Sequence, residues 1–209
     1  MSVLRIARSP EIDQEPVSLT EFLVHQRLDS SPLPDQSELD DIQSKLTAAR
    51  VYCENDLGRA LITSRWQLRL TSWPCGEYAE LLGNTQRINS VTYTDSDGAE
   101  HTFTDYKLVR AYSSGTSDAG RGRLYLAYGK CWPSAILDVG EPICIDLDCG
   151  WLTAADVPLT IKAAIKLLAG HLCEHREAVV IGQNVTIESK RLEMAVDDLL
   201  TPYRMMRAA

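Results

Sequence analysis

Apolar residues recur in two rhythms along this chain, in steps of three and four towards both ends and in steps of two through the middle. After Pro16, the run Val17-Ser-Leu-Thr-Glu-Phe-Leu-Val-His-Gln-Arg-Leu28 predicts a helix over about 19–28, with Ser18 and Glu21 at the spacing of a capping box. Residues 29–36 carry two prolines among small polar residues and read as a loop. From Ser37 the positions Leu39, Ile42, Leu46, Ala49, Cys53 and Leu57 form the apolar stripe of a long amphipathic helix, which Gly58 stops as a C-terminal cap.

Beyond Gly58 the period changes to two. Trp66, Leu68 and Leu70 alternate with Arg65, Gln67, Arg69 and Thr71, the pattern of a half-buried strand. Further strands are expected at Ile88–Thr94 and His101–Val109, joined by the turn sequence Asp95-Ser-Asp-Gly98, and at Leu124–Tyr128 and Ile143–Cys149. Pro158 then opens a helix to about Glu177, with Ile161, Ala164, Ile165, Leu168 and Leu172 on one face. Leu192, Val196, Leu199 and Tyr203 suggest a last short helix ending near Pro202.

Helices segregated from strands, with short connections, indicate an α+β protein: a helical bundle of about four helices with an inserted antiparallel β domain of about five strands. The corresponding division is 1–58 for the N-terminal helices, 59–156 for the β insertion and 157–209 for the C-terminal helices and tail.

Composition narrows the function classes. The usage, 44% hydrophobic and 24% charged over 209 residues, is that of a folded globular chain. No stretch reaches the roughly 18 apolar residues of a membrane span. Met1-Ser-Val-Leu-Arg-Ile-Ala-Arg-Ser-Pro10 lacks the apolar core of a signal peptide, so synthesis in a cytoplasm is the expectation. Six cysteines without any C-x-x-C then read as reduced and mostly buried thiols. A net charge of −8 argues against a protein built to cling to phosphate.

Candidate chemistry is sparse. His171-Leu-Cys-Glu-His175 has the H-x-x-E-H form of an inverted zincin motif, with Glu188 or Glu193 as conceivable third ligands, but the pattern is better read as surface or interface histidines near a helix C-terminus. Gly115-Thr-Ser-Asp-Ala-Gly-Arg-Gly122 starts like a phosphate loop and then offers Arg-Gly where Lys and Ser/Thr are required. Gly115, Asp118, Arg121 and Arg123 instead suit a loop that touches a neighbouring subunit or DNA. Asn184-Val-Thr186 is a glycosylation sequon without meaning in a chain that is not secreted, and the acid pairs Asp40-Asp41 and Asp197-Asp198 read as solvated. No nucleophile–base arrangement emerges, so no cofactor, metal or catalytic residue is assigned.

The order of segments is what resembles a known family. Pro16-Val-Ser-Leu-Thr-Glu-Phe22 is similar to the opening helix of the head–tail connector (adaptor) proteins of tailed bacteriophages. Leu46-Thr-Ala-Ala-Arg-Val-Tyr-Cys-Glu-Asn-Asp-Leu-Gly-Arg-Ala-Leu-Ile-Thr-Ser-Arg-Trp-Gln-Leu68 is similar to their helix-to-strand passage. The likeness continues through Ile88–Gly98, Trp132-Pro133, Val157–Leu168, Glu174–Glu177 and Leu199–Arg204, and so spans about 16–204. Two departures stand out: Cys75–Arg87 replaces a short proline-rich approach to the second strand, and Leu172-Cys173 stands where aromatic residues are common.

The resemblance implies a structural virion protein of the neck, assembled in the host cytoplasm. It would form a ring of about a dozen copies under the portal protein, extend the channel through which genomic DNA slides without specific binding, and offer a surface to tail or stopper proteins. The terminal Tyr203, Arg204, Met205, Met206 and Arg207 have the aromatic, Met and Arg character of interfaces, and are expected to meet the portal. The other readings are a stopper or tail-completion protein and, from a different class, a zinc-dependent hydrolase using the histidine motif.

Overall fold

A computed structural model of the chain describes residues 3–8, 14–28, 34–109, 121–174 and 185–204. They fall into two compact units: a β unit of Met1–Asp13 and Ile62–Leu152, and a helical unit of Gln14–Leu61 and Thr153–Ala209. No helix among the described residues is long and apolar enough to cross a membrane.

In the helical unit, α1 (Leu19–Gln26) starts where the Ser18 hydroxyl accepts the Glu21 N–H at 3.1 Å, the forward half of the expected capping box, and buries Phe22. The long helix α2 (Gln36–Leu57) starts one residue before the expected Ser37, because Asp35 and Glu38 form a reciprocal capping box. Its stripe Ile42, Leu46, Ala49, Cys53 and Leu57 is buried, and Gly58 ends it at φ +67°. Helix α3 (Leu159–Glu174) buries Ile161, Ala164, Ile165, Ala169 and Gly170, while Leu172 is 37% exposed. The buried line advances in fours through Ile161, Ile165 and Ala169, and so drifts off the expected Leu172. The last helix, α4 (Val185–Leu200), starts seven residues before Leu192, the first residue of the expected short helix, buries Val196 and Leu200, and runs into a 3-10 turn at Thr201–Tyr203.

The β unit holds eight strands among the described residues, against five expected; the α+β class itself stands. The strands are β1 (Val3–Arg8), β2 (Ser64–Leu70), β3 (Tyr78–Gly83), β4 (Thr85–Thr94), β5 (Glu100–Thr102), β6 (Tyr106–Val109), β7 (Arg121–Leu126) and β8 (Ile143–Cys149). They form two antiparallel sheets, ordered β1-β2-β8-β4-β5 and β3-β7-β6. The expected single strand His101–Val109 is therefore two strands in different sheets. Between them buried Phe103 donates its N–H to Val91 at 2.8 Å, turning the chain from one sheet to the other. β1 lies inside the segment expected to hold only helices.

Central β8 shows why one sheet face is wet and the other dry. Ile143, Ile145 and Leu147 are essentially inaccessible and pack with Leu68, Leu70 and Val91, each side chain contributing roughly 1.5–3 kcal/mol when fully buried. Asp146 and Asp148 alternate with them and carry the opposite face. An aromatic group supports the unit: Trp73 stacks on Trp132 at 5.0 Å and 14° and also meets Tyr93 and Phe103, while the Trp132 indole N–H donates to the Gly76 carbonyl at 2.8 Å. The expected turn forms, with Gly98 at φ +80° and the Asp95 carboxylate accepting the N–H groups of Asp97 and Ala99.

All six cysteines are free, but only Cys53 and Cys149 are buried; Cys144 and Cys173 are partly exposed, and Cys75 and Cys131 exposed. Burial first, with nearby carboxylates adding, pushes the Cys53 thiol up to about 12, and burial does the same for Cys149.

Candidate functional site

The charged side chains that come together do so mainly as ion pairs between segments far apart in sequence. At the end of α2, buried Arg50 donates to Glu15 (Nε–Oε2 2.7 Å) and to Glu54 (Nη1–Oε2 2.7 Å). The other Glu54 oxygen accepts the Leu61 N–H at 2.9 Å, which folds the chain after Gly58 back onto the helix. The passage Arg50…Glu54…Gly58-Arg-Ala-Leu61, which carries much of the family resemblance, is thus a structural device that ends α2 and directs the chain towards β2.

On the wet face of the larger sheet, Arg65 grips Asp146 through Nε at 2.9 Å and through Nη2, and Asp148 accepts from Arg87 Nε (2.5 Å) and Asn89 Nδ2 (2.9 Å). The carboxylates are almost covered, whereas the Arg65 and Arg87 side chains are 63% and 72% exposed. Each guanidinium is therefore held at the surface by an acid beneath it, a pre-organised arrangement that alternation alone did not reveal.

The residues singled out in the sequence lie as follows. Gly115 and Asp118 are outside the described residues, and Arg121 opens β7. Arg123, also on β7, is exposed and lies over the Tyr78 ring, its guanidinium carbon 4.9 Å from the centroid. A hydrogen bond to Tyr125 raises its pKa further. Tyr203 is half-buried in the 3-10 turn. Arg204 binds Asp56 through Nε and Nη2, both at 2.9 Å, and also pairs with Asp197. Met205, Met206 and Arg207 lie outside the described residues.

The acid pairs Asp40-Asp41 and Asp197-Asp198 are exposed, as expected, and three of the four also have side-chain partners. Asp41 binds Lys45 at 2.6 Å, Asp40 accepts from Gln36 at 2.9 Å, and Asp197 belongs to the Arg204 cluster. His171 and Glu174 occupy the last turn of α3, while His175, Asn184 and Glu188 give no described side-chain geometry. Among the described residues no three His, Cys, Asp or Glu side chains form a metal-binding group.

Large apolar side chains stand exposed after β7: Tyr128 fully, Ile136 at 77% and Val139 at 95%. The segment carrying Ile136 is held in place, since Ser96 donates to the Ile136 carbonyl at 2.9 Å and Asp138 to Thr94 at 3.1 Å.

No protein-family model and no curated protein matches the sequence. Solved structures do match in fold. A chain of the neck of the empty GTA particle, computed with C6 symmetry, superposes with a TM-score of 0.77 at 22% identity. A chain of the virion of the native gene transfer agent (GTA) particle gives 0.74 at 21%, and one of the native GTA neck computed with C12 symmetry 0.71 at 20%. Each match covers 99% of this chain and 98% of the other. At that level of identity the likeness is one of fold: the chain folds, over nearly its whole length, like chains from the necks and virion of gene transfer agent particles, consistent with its resemblance to the head–tail connector family.

Proposed function

We propose that this protein is a structural subunit of a virion neck, an adaptor that assembles as a ring beneath the portal protein. The observation that carries the reading is the full-length fold likeness to chains from GTA necks reconstructed with six-fold and twelve-fold symmetry. The order of family-like segments from Pro16 to Arg204 supports the adaptor role within the neck.

The physics is compatible with that task. A closed ring built head to tail uses two different patches of each subunit, and the exposed Tyr128, Ile136 and Val139 offer apolar contact area. With a net charge of −8, a conduit of such subunits repels duplex DNA overall and lets it slide without adhering. In this reading the ring extends the portal channel, presents its far side to a tail or stopper protein, and meets the portal through the C-terminal residues from Tyr203 onward. Its work is assembly and not catalysis.

Deleting residues 203–209 tests the portal contact. Purified truncated protein is expected to lose co-sedimentation with portal-bearing heads, while the intact chain binds. Undiminished binding by the truncation would overturn the assignment of the tail to the portal.

A further inference from the structure

The wet face of the larger sheet carries two guanidiniums that the fold does not use up. Arg65 on β2 and Arg87 on β4 both stand opposite Asp148 of central β8, one on either side, so their backbones lie two strand spacings apart, about 10 Å. Arg65 commits Nε and Nη2 to Asp146, and Arg87 commits Nε to Asp148, which Asn89 also holds. Arg65 Nη1 and both terminal nitrogens of Arg87 have no acceptor among the described residues. Each guanidinium is fixed from below and keeps unmet donors.

Stability alone does not call for this arrangement. Surface ion pairs contribute about 0–1 kcal/mol, and covering the Asp146 and Asp148 side chains to 7% and 12% exposure carries a desolvation cost that the pairs must first offset. Arg69 extends the same row on β2, with Nε 3.8 Å from Glu141. Just before Glu141 in the chain stand Ile136 and Val139, 77% and 95% exposed.

We propose that this face receives the next copy of the chain in the ring, Arg65 and Arg87 taking carboxylates of that copy. The inference rests on the ring reading above. Charge selects the occupant: the chain has 29 Asp and Glu against 21 Lys and Arg, so a second copy arrives rich in carboxylates, each able to accept two parallel N–H groups from one guanidinium. Duplex DNA fits less well, because Asp146, Asp148 and Glu141 cancel the positive charge on which phosphate binding draws. Ile136 and Val139 add apolar area that a protein can cover and a phosphate backbone cannot. Arginines on one copy and carboxylates on the next are different patches, the arrangement that closes a ring.

The test follows the filling of portal-bearing heads as the concentration of purified protein rises, with the denaturation midpoint and duplex-DNA binding measured alongside. The intact chain is expected to fill heads steeply and to close rings, since each bound copy helps the next. Arg65→Gln/Arg87→Gln, whose amides can still donate to the acids beneath, is expected to keep its midpoint, to need about tenfold more protein for half-filling, and to give a shallow curve with open arcs. Arg65→Lys/Arg87→Lys, with charge but no fork, is expected to fall between.

Steep filling and closed rings by the glutamine variant would overturn the proposal. A curve displaced but equally steep would assign the arginines to the portal, and loss of DNA binding with rings intact would assign them to phosphate; either overturns the second copy as occupant. If the variant does not fold, an arginine-specific dicarbonyl reagent on the intact chain decides: Arg65 and Arg87 are expected to react in the free protein and to be protected in the ring, and equal reaction in both overturns the contact. Heads on which the intact chain forms no ring overturn the ring reading itself, and this inference with it.

Discussion

Replacing Glu54 by alanine is expected to destabilise the helical unit by about 3–5 kcal/mol, the usual consequence of removing one partner from a buried ion pair. The reason lies in how completely Glu54 is used. One oxygen neutralises Arg50, whose side chain is 4% exposed, and the other accepts the Leu61 N–H in a buried turn. Alanine leaves Arg50 with Glu15 alone, which is 21% exposed at its side chain, and strips the Leu61 amide of its acceptor. Glu54→Gln retains an oxygen for Leu61 and is expected to lose less. Chemical denaturation followed by far-ultraviolet circular dichroism measures both, and a loss below about 1 kcal/mol for Glu54→Ala would show that the pair is dispensable.

The second large effect is expected at Gly150. This residue ends β8 at φ +120°, and an added Cβ would fall on the backbone carbonyl of Ile62 and within 2.6 Å of the Thr63 nitrogen. Two stretches of backbone run together here: Thr63 donates to the Trp151 carbonyl at 3.1 Å, Gly150 donates to Asn84 at 3.0 Å, and Gln86 Nε2 donates to the Gly150 carbonyl at 2.7 Å. Gly150→Ala therefore combines a backbone conformation costing about 1–3 kcal/mol with a forced shift of backbone costing about 1–3 more. A total of about 2–6 kcal/mol is expected to appear as a β unit that melts early or is recovered insoluble. Gly76, where an added Cβ meets nothing within 4 Å, supplies the control substitution and should be nearly silent.

These two sites illustrate what the sequence discloses and what it withholds. Helix α2 was legible because its information is local: apolar steps of three and four, and a glycine where the chain must take a positive φ. Strand β8 was legible for the same reason, since Ile143, Ile145 and Leu147 alternate with acids. Strand β3 was not. Its inward residues are Ala79, Leu81 and Gly83, of which only one is strongly apolar, and outward Leu82 blurs the alternation. The run through β5 and β6 concealed a change of sheet, because β propensity is the same on either side of Phe103.

The charged clusters were the least legible of all. Arg65 and Asp146 are 81 positions apart, and Arg204 and Asp56 are 148 apart, so each pairing is a product of topology and carries no periodic signal. Residue type alone reads Asp197 as a solvated acid, which it is at 54% exposure, but gives no sign that it pairs with Arg204. The coordinates place the two in one cluster. What residue order did convey was the series of family-like segments, and the physical content of the longest of them is the Arg50–Glu54–Leu61 arrangement at the end of α2.

The neck-adaptor reading is tested most directly by imaging portal-bearing heads before and after addition of the purified protein, with no other neck protein present. An adaptor is expected to add a closed ring of density, about twelve copies of the chain, beneath the portal and coaxial with its channel. Heads that gain no density, or gain it only after another neck protein has been bound first, would contradict the adaptor role and point to a stopper or tail-completion protein.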